Sequence, residues 1–174
     1  MPLPLTRPFI LALALSSAPV PAATPEQRHA LRDAVVPDTC TPPGDPSLGP
    51  ISQAQLDTGE RLYLVPCRTT FANVLSVVIL ERSGKLSVLV FPAPGFSYGE
   101  TWEDASMSRI GVTSLLPSPV VTPAGELTSS ERIPPGLGAG YVLRRYAVED
   151  GNPVLKQFAI ELDGRKPIKL WEAP

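Results

Sequence analysis

The chain has 174 residues, with 15 Lys and Arg against 17 Asp and Glu and a single histidine, for a formal net charge of −2. That balance gives no electrostatic footprint for nucleic acid or anionic lipid, so neither is expected as a partner. An apolar fraction of 43% is ordinary for a globular protein, so the 22 prolines are read as punctuating loops and not as a sign of disorder.

Arg7 precedes the apolar stretch Phe9 to Val20 (FILALALSSAPV), the length of a signal-peptide h-region, and Val20-Pro21-Ala22 fits the small-x-small cleavage rule. Residues 1–22 therefore read as a signal peptide, with a mature start at Ala23 or one residue later. The stretch is too short to cross a bilayer, whose core of roughly 30 Å needs about 20 apolar helical residues. No membrane span is expected after cleavage. The first cysteine is Cys40, so the usual lipoprotein anchor is not expected, and the product is expected to be periplasmic or secreted. About 150 residues remain, one domain's length.

Residues 23–50 read as a short helix and a Pro-rich loop. Thr24-Pro25-Glu26-Gln27 has an N-cap hydroxyl, a proline at the first helical position and a Gln three residues after the cap, which predicts a helix from Pro25 to Val35. Val36 to Pro50 (VPDTCTPPGDPSLGP) is too dense in Pro, Gly and Asp for regular structure.

Residues 51–174 read as an antiparallel β domain. Arg61 to Cys67 (RLYLVPC) is the first strong strand. Asn73 to Glu81 (NVLSVVILE) is almost continuously apolar, which predicts a central strand buried on both faces. Arg82-Ser83-Gly84-Lys85 turns the chain into a partner strand, Leu86 to Phe91. Pro92 to Ser108 reads as a loop. Ile110 to Leu116 and Val120 to Leu127 read as short strands separated by Pro117-Ser118-Pro119, with a turn at Pro123-Ala124-Gly125. Gly140 to Glu149 and Val154 to Leu162 form a second hairpin around Asp150-Gly151-Asn152, and Pro167 to Glu172 is the last strand. In the return strand Val154, Phe158, Ile160 and Leu162 are expected on one face and Leu155, Gln157, Ala159 and Glu161 on the other, with Lys156 breaking the alternation.

Cys40 and Cys67 both survive processing, and in an oxidising compartment their pairing is the default. Closing that loop stabilises a fold by about 3 to 4 kcal/mol on the chain-entropy model. The two cysteines lack the close spacing and His partners of a metal or redox site.

The run Gly59-Glu60-Arg61-Leu62-Tyr63-Leu64-Val65-Pro66-Cys67 resembles the Leu-Trp/Tyr-x-Val-Pro-Cys signature of a family of exported proteobacterial proteins known as a domain of unknown function. The order that follows is similar too: an apolar strand (Val74 to Leu80), Phe91-Pro92, Leu115 to Pro119 with Gly125-Glu126-Leu127, and a C-terminal strand pair from Tyr141 to Phe158 closing at Trp171. The resemblance runs from Thr39 to the end and covers the C-terminal half of such a protein. The chain departs from it at Arg68 to Asn73, and it lacks the later cysteine expected near Gly136 to Gly140. The resemblance implies export and a β fold and adds no site.

Few residues suggest chemistry. Gly136, Gly138 and Gly140 space as GxGxG, but a phosphate loop needs a following helix, and β-patterned YVLRRYAV follows instead. His29 stands in the predicted helix beside Arg28 and Arg32 and reads as a surface residue. The loop Tyr98 to Asp104 (YGETWED) sets Glu100, Glu103 and Asp104 around Tyr98 and Trp102. Paired carboxylates serve glycoside hydrolysis and rings stack on sugars, although a solvated acidic loop with one ring tucked against the sheet is the plainer reading. Arg144 and Arg145 are adjacent on a strand and so face opposite ways, with one expected to pair with an acid across the hairpin.

The expectation is a mainly β protein, antiparallel hairpins forming a small sandwich or barrel-like sheet, with one short N-terminal helix and a Cys40–Cys67 disulfide. It is expected to be non-catalytic, with no cofactor and no metal. Its role is expected to be that of a periplasmic binding or envelope-associated module for an envelope protein or glycan, with Tyr98, Glu100, Trp102, Glu103 and Asp104 as the candidate binding loop. The alternative is an inhibitor of an envelope hydrolase, lysozyme-inhibitor-like, a class that is also small, exported, β-rich and disulfide-stapled. A hydrolase would need a clustered acid, base and nucleophile that the sequence does not display.

Overall fold

The structure, a computed structural model, describes Thr24, Leu31, Cys40 and residues 48–70, 72–97, 101–122, 125–133 and 139–174. Twelve strands follow in chain order: β1 (Ser52–Gln55), β2 (Arg61–Thr69), β3 (Val74–Arg82), β4 (Lys85–Val88), β5 (Phe91–Ser97), β6 (Ser106–Thr113), β7 (Leu115–Pro117), β8 (Pro119–Val121), β9 (Leu127–Arg132), β10 (Gly140–Glu149), β11 (Asn152–Leu162) and β12 (Ile168–Glu172). All pairings are antiparallel. The first sheet runs β1-β2-β3-β4 with β7 also on β3, the second runs β12-β11-β10-β9-β8, and β5 and β6 form a separate hairpin. No helix of seven or more residues occurs among the described residues. The predicted helix Pro25 to Val35 and its His29 lie outside them, except for Leu31, which is helical and buried.

Burial on both faces makes β3 the central strand that its composition predicts. Val78 and Leu80 point into a core shared with the second sheet, where they join Leu62, Leu64, Phe91, Tyr146, Phe158 and Ile160. Val77 and Ile79 point the other way, into a smaller core with Tyr63, Val65, Leu31 and the two cysteines. Cys40 and Cys67, 27 positions apart in sequence, are bonded, as expected, and both are buried in this outer core. The ladder between β2 and β3 slips between Pro66 and Arg68, so Cys67 is the extra residue of a bulge.

Both strong hairpins turn as their sequences require. Ser83 and Gly84 have φ of 50° and 74°, and Asp150 and Gly151 have 50° and 81°. Positive φ at both central residues is the two-residue turn whose twist matches the strands it joins. At Gly140 a different constraint applies, since a Cβ there would collide with the Glu161 carbonyl oxygen.

Three expectations change. Pro92 to Ser108 is not a single loop: it holds β5 from Pro92 on and the first three residues of β6, and Phe91 opens β5 instead of closing β4. Pro92 and Pro94 are tolerated because β5 pairs on one edge only. The stretch Ile110 to Leu116 is split between β6 and β7, and Val120 to Leu127 between β8 and β9, with Ser118 (φ 40°) as the single residue that carries the chain from the first sheet to the second. In β11 it is Leu155, not Val154, that joins the core with Phe158, Ile160 and Leu162. Arg145 pairs with Gln157 and Tyr146 with Leu155, so Lys156 is a bulge that inverts the alternation.

Candidate functional site

The residues of the acidic-aromatic loop that can be placed are engaged locally. Thr101 and Asp104 close a capping box around the 3₁₀ turn Trp102–Asp104, with the Asp104 carboxylate accepting from the Thr101 hydroxyl at 3.0 Å. Glu103 pairs with Arg165 at 2.8 Å, both groups well exposed. The Trp102 ring lies 6.1 Å from that of Phe96, against the shared core. Tyr98 and Glu100 lie outside the described residues, as do Gly136 and Gly138 of the GxGxG run.

A different site emerges from the alternation of β10. Val142 and Tyr146 are buried in the shared core, and Arg144, two residues from each, faces the same way. Its side chain is only 12% exposed. Its guanidinium lies 5.6 Å from the centre of the Phe158 ring and donates to the Glu131 carboxylate at 3.0 Å. A largely buried cation is tenable only when it is paired in this way. Glu131 belongs to β9, where it shares a face with buried Leu127, Ser129 and Ile133. Arg145 faces outward and pairs with Glu126 at 2.7 Å and with Gln157 at 3.2 Å. The expected acid partner thus comes from β9 and the turn before it, not from β11.

Arg144, Glu131 and Tyr146 form one wall of a cleft of about 310 Å³. The first sheet contributes Arg68 from the end of β2, with Thr70 and Asn73 from the loop after it, to the same lining. Two hydrogen bonds hold the sheets together beside this opening. The Asn73 side-chain oxygen accepts from the Arg132 backbone N–H at 3.1 Å, and the Ser129 hydroxyl donates to the Pro117 carbonyl at 2.8 Å. Tyr146 is fixed as well: its hydroxyl donates to the Pro92 carbonyl at 2.9 Å, and its ring meets Phe91 edge-on at 5.0 Å. Burial pushes the Tyr146 phenol up to about 12 despite the opposing effect of Arg144, so at neutral pH it is a hydrogen-bond donor and not an anion.

Two guanidinium groups and one carboxylate leave the cleft with a net positive charge among its described residues. Its hydroxyl and amide groups, Thr70, Thr113 and Asn73, suit polar oxygen-rich ligands. Both cysteines are bonded to each other, and among the described residues no three His, Cys, Asp or Glu side chains gather as a metal site. The sequence singled out Arg144 but not Arg68, Asn73, Glu131 or Tyr146. The readable signal was phase: an arginine in step with two apolar residues of YVLRRYAV faces inward. Compared with models of protein families, with curated proteins and with solved structures, the chain matches none.

Proposed function

We propose that this protein is an exported, non-catalytic binding domain, a small sandwich of two sheets whose ligand is an acidic envelope glycan seated in the cleft of Arg68 and Arg144. The observation that carries the reading is Arg144, an arginine held on the inner face of a sheet by Glu131 and Phe158 and opening into a cleft to which Arg68 adds a second positive charge. A fixed guanidinium presents paired N–H donors to a carboxylate, and Asn73 and Thr70 supply donors and acceptors for sugar hydroxyls. In this reading the signal peptide ends at Ala22 and the domain works in the periplasm or outside the cell. It stands as a relative of the exported family that its Leu-Tyr-Leu-Val-Pro-Cys run resembles.

The test is calorimetric titration of the purified protein with N-acetylmuramate, an acidic sugar, against neutral N-acetylglucosamine. Binding of the acidic sugar alone is expected, weakening about tenfold in Arg68→Gln, the loss of about 1.4 kcal/mol. Equal binding of both sugars, or none of either, sinks the assignment.

A further inference from the structure

The β5–β6 hairpin has one edge closed and one open. In β5 the Pro92 carbonyl accepts from Tyr146 and therefore points away from β6. Pro92 and Pro94 have no N–H to offer on that side, so this edge cannot take another strand. Their partners in β6 are Val112 and Ile110. In an antiparallel ladder such non-hydrogen-bonded positions turn their own N–H and C=O groups outward. The free edge of β6 therefore presents the backbone groups of Ile110 and Val112, which bond no other described backbone group. Ile110 and Val112 are 58% and 78% exposed, and Val112 is the most exposed of the large hydrophobic residues described.

The other sheet edges are blunted by length: β1 and β4 have four residues, β8 three and β12 five, against eight in β6. A long open edge carrying apolar side chains is a template for another strand. We propose that β6 pairs with β6 of a second copy of this chain, antiparallel about a two-fold axis through Gly111. In that register Ile110 of each copy stands opposite Val112 of the other, apolar against apolar, and the two pairs exchange four backbone hydrogen bonds. Arg109, the one charge of the strand, stands opposite Thr113 and four residues along from its own copy. At about 3.4 Å per residue that is beyond a Debye length of about 8 Å, so like charges do not oppose the pairing. Because the other edge of the hairpin is closed by prolines, the assembly stops at two copies and does not propagate.

The test is sedimentation velocity of the purified protein over a concentration series reaching the high micromolar range, with Val112→Pro and Ile110→Lys beside it. The Val112 N–H points outward, so proline there removes an intermolecular donor and leaves the hairpin's own ladder intact. A concentration-dependent dimer is expected, reverting to monomer in both variants while the circular dichroism and melting temperature of the monomer stay unchanged. Gly111→Cys, on the two-fold axis, is expected to give a disulfide-linked dimer under mild oxidation, and Arg109→Cys is not. A monomer throughout the series overturns the proposal. So does a dimer that survives Val112→Pro, cross-linking that is equal at positions 109 and 111, or a monomer that takes a foreign extended peptide along this edge.

Discussion

The first sheet and the β5–β6 hairpin both carry β-branched apolar residues at mid-strand, yet they treat those residues in opposite ways. In β3 every side chain from Ser76 to Leu80 is buried, because the second sheet covers one face and Leu31 and the Cys40–Cys67 disulfide pack on the other. In β6 Ile110 and Val112 remain in solvent, because only the Met107 end of the strand reaches the shared core. The contrast shows that an apolar residue on a strand does not decide its own burial. What decides it is whether a second layer lies within reach.

Substitutions should separate the two regions, and the largest effect belongs to the first. Ile79→Ala is expected to cost about 2 to 5 kcal/mol in urea unfolding, since it leaves a cavity in a fully enclosed site. Val112→Ala should move the same monomer midpoint by less than about 0.5 kcal/mol; similar costs at the two sites would erase the distinction. Next in size is the cover over the outer face: Cys40→Ala with Cys67→Ala is expected to lose about 3 to 4 kcal/mol, read as a shift in urea midpoint against the oxidised protein.

Tyr146, on β10 of the second sheet, ties the hairpin to the shared core through Pro92, and Tyr146→Phe should cost about 1 kcal/mol by leaving a half-buried carbonyl without its donor. Its titration sharpens the point. With a folded pKa of about 12 against an ordinary phenol value of 10.0, the folded state holds its proton while the unfolded chain releases it. Stability from this residue is therefore intact below pH 10 and falls as pH rises toward 12, by about 2 to 3 kcal/mol in all. Denaturation midpoints at pH 9 and pH 12 should differ more in the native protein than in Tyr146→Phe. Tyr63, held up by burial and then by its bond to the Glu81 carboxylate at 2.5 Å, adds to the loss in the same direction in both proteins. The smallest effect belongs to the surface: Glu103→Ala breaks an exposed ion pair with Arg165 and should change stability by less than about 0.5 kcal/mol, leaving a thermal melt superimposable on the native one.

The positions of many strands along the chain were legible, for local reasons, whereas their order in the sheets was not. Gly140 to Glu149 was read to its observed ends because period-two patterning is bounded there by a glycine and a two-residue turn. β5 was missed because proline argues against a strand, and only the one-edged pairing of this hairpin makes Pro92 and Pro94 harmless. β9 was misread because LTSSER is polar, although Leu127 and Ser129 are buried beneath it. Lys156 was noticed as an irregularity, but only its pairing partners show it to be a bulge. The cleft was the least legible feature, since β2, β9, β10 and the loop after β2 each contribute side chains to it and no two of those segments adjoin in sequence except the last.

By itself the sequence determined an antiparallel β architecture, its two tight hairpins and the cysteines available for pairing, because alternation, turn glycines and disulfide chemistry act over a few residues or through a single bond. The tertiary structure decided which face of each strand is dry, which arginine lies inside and which strand edge is left open. Those outcomes depend on what packs across about 10 Å from the other sheet, and no local pattern encodes the identity of that distant neighbour.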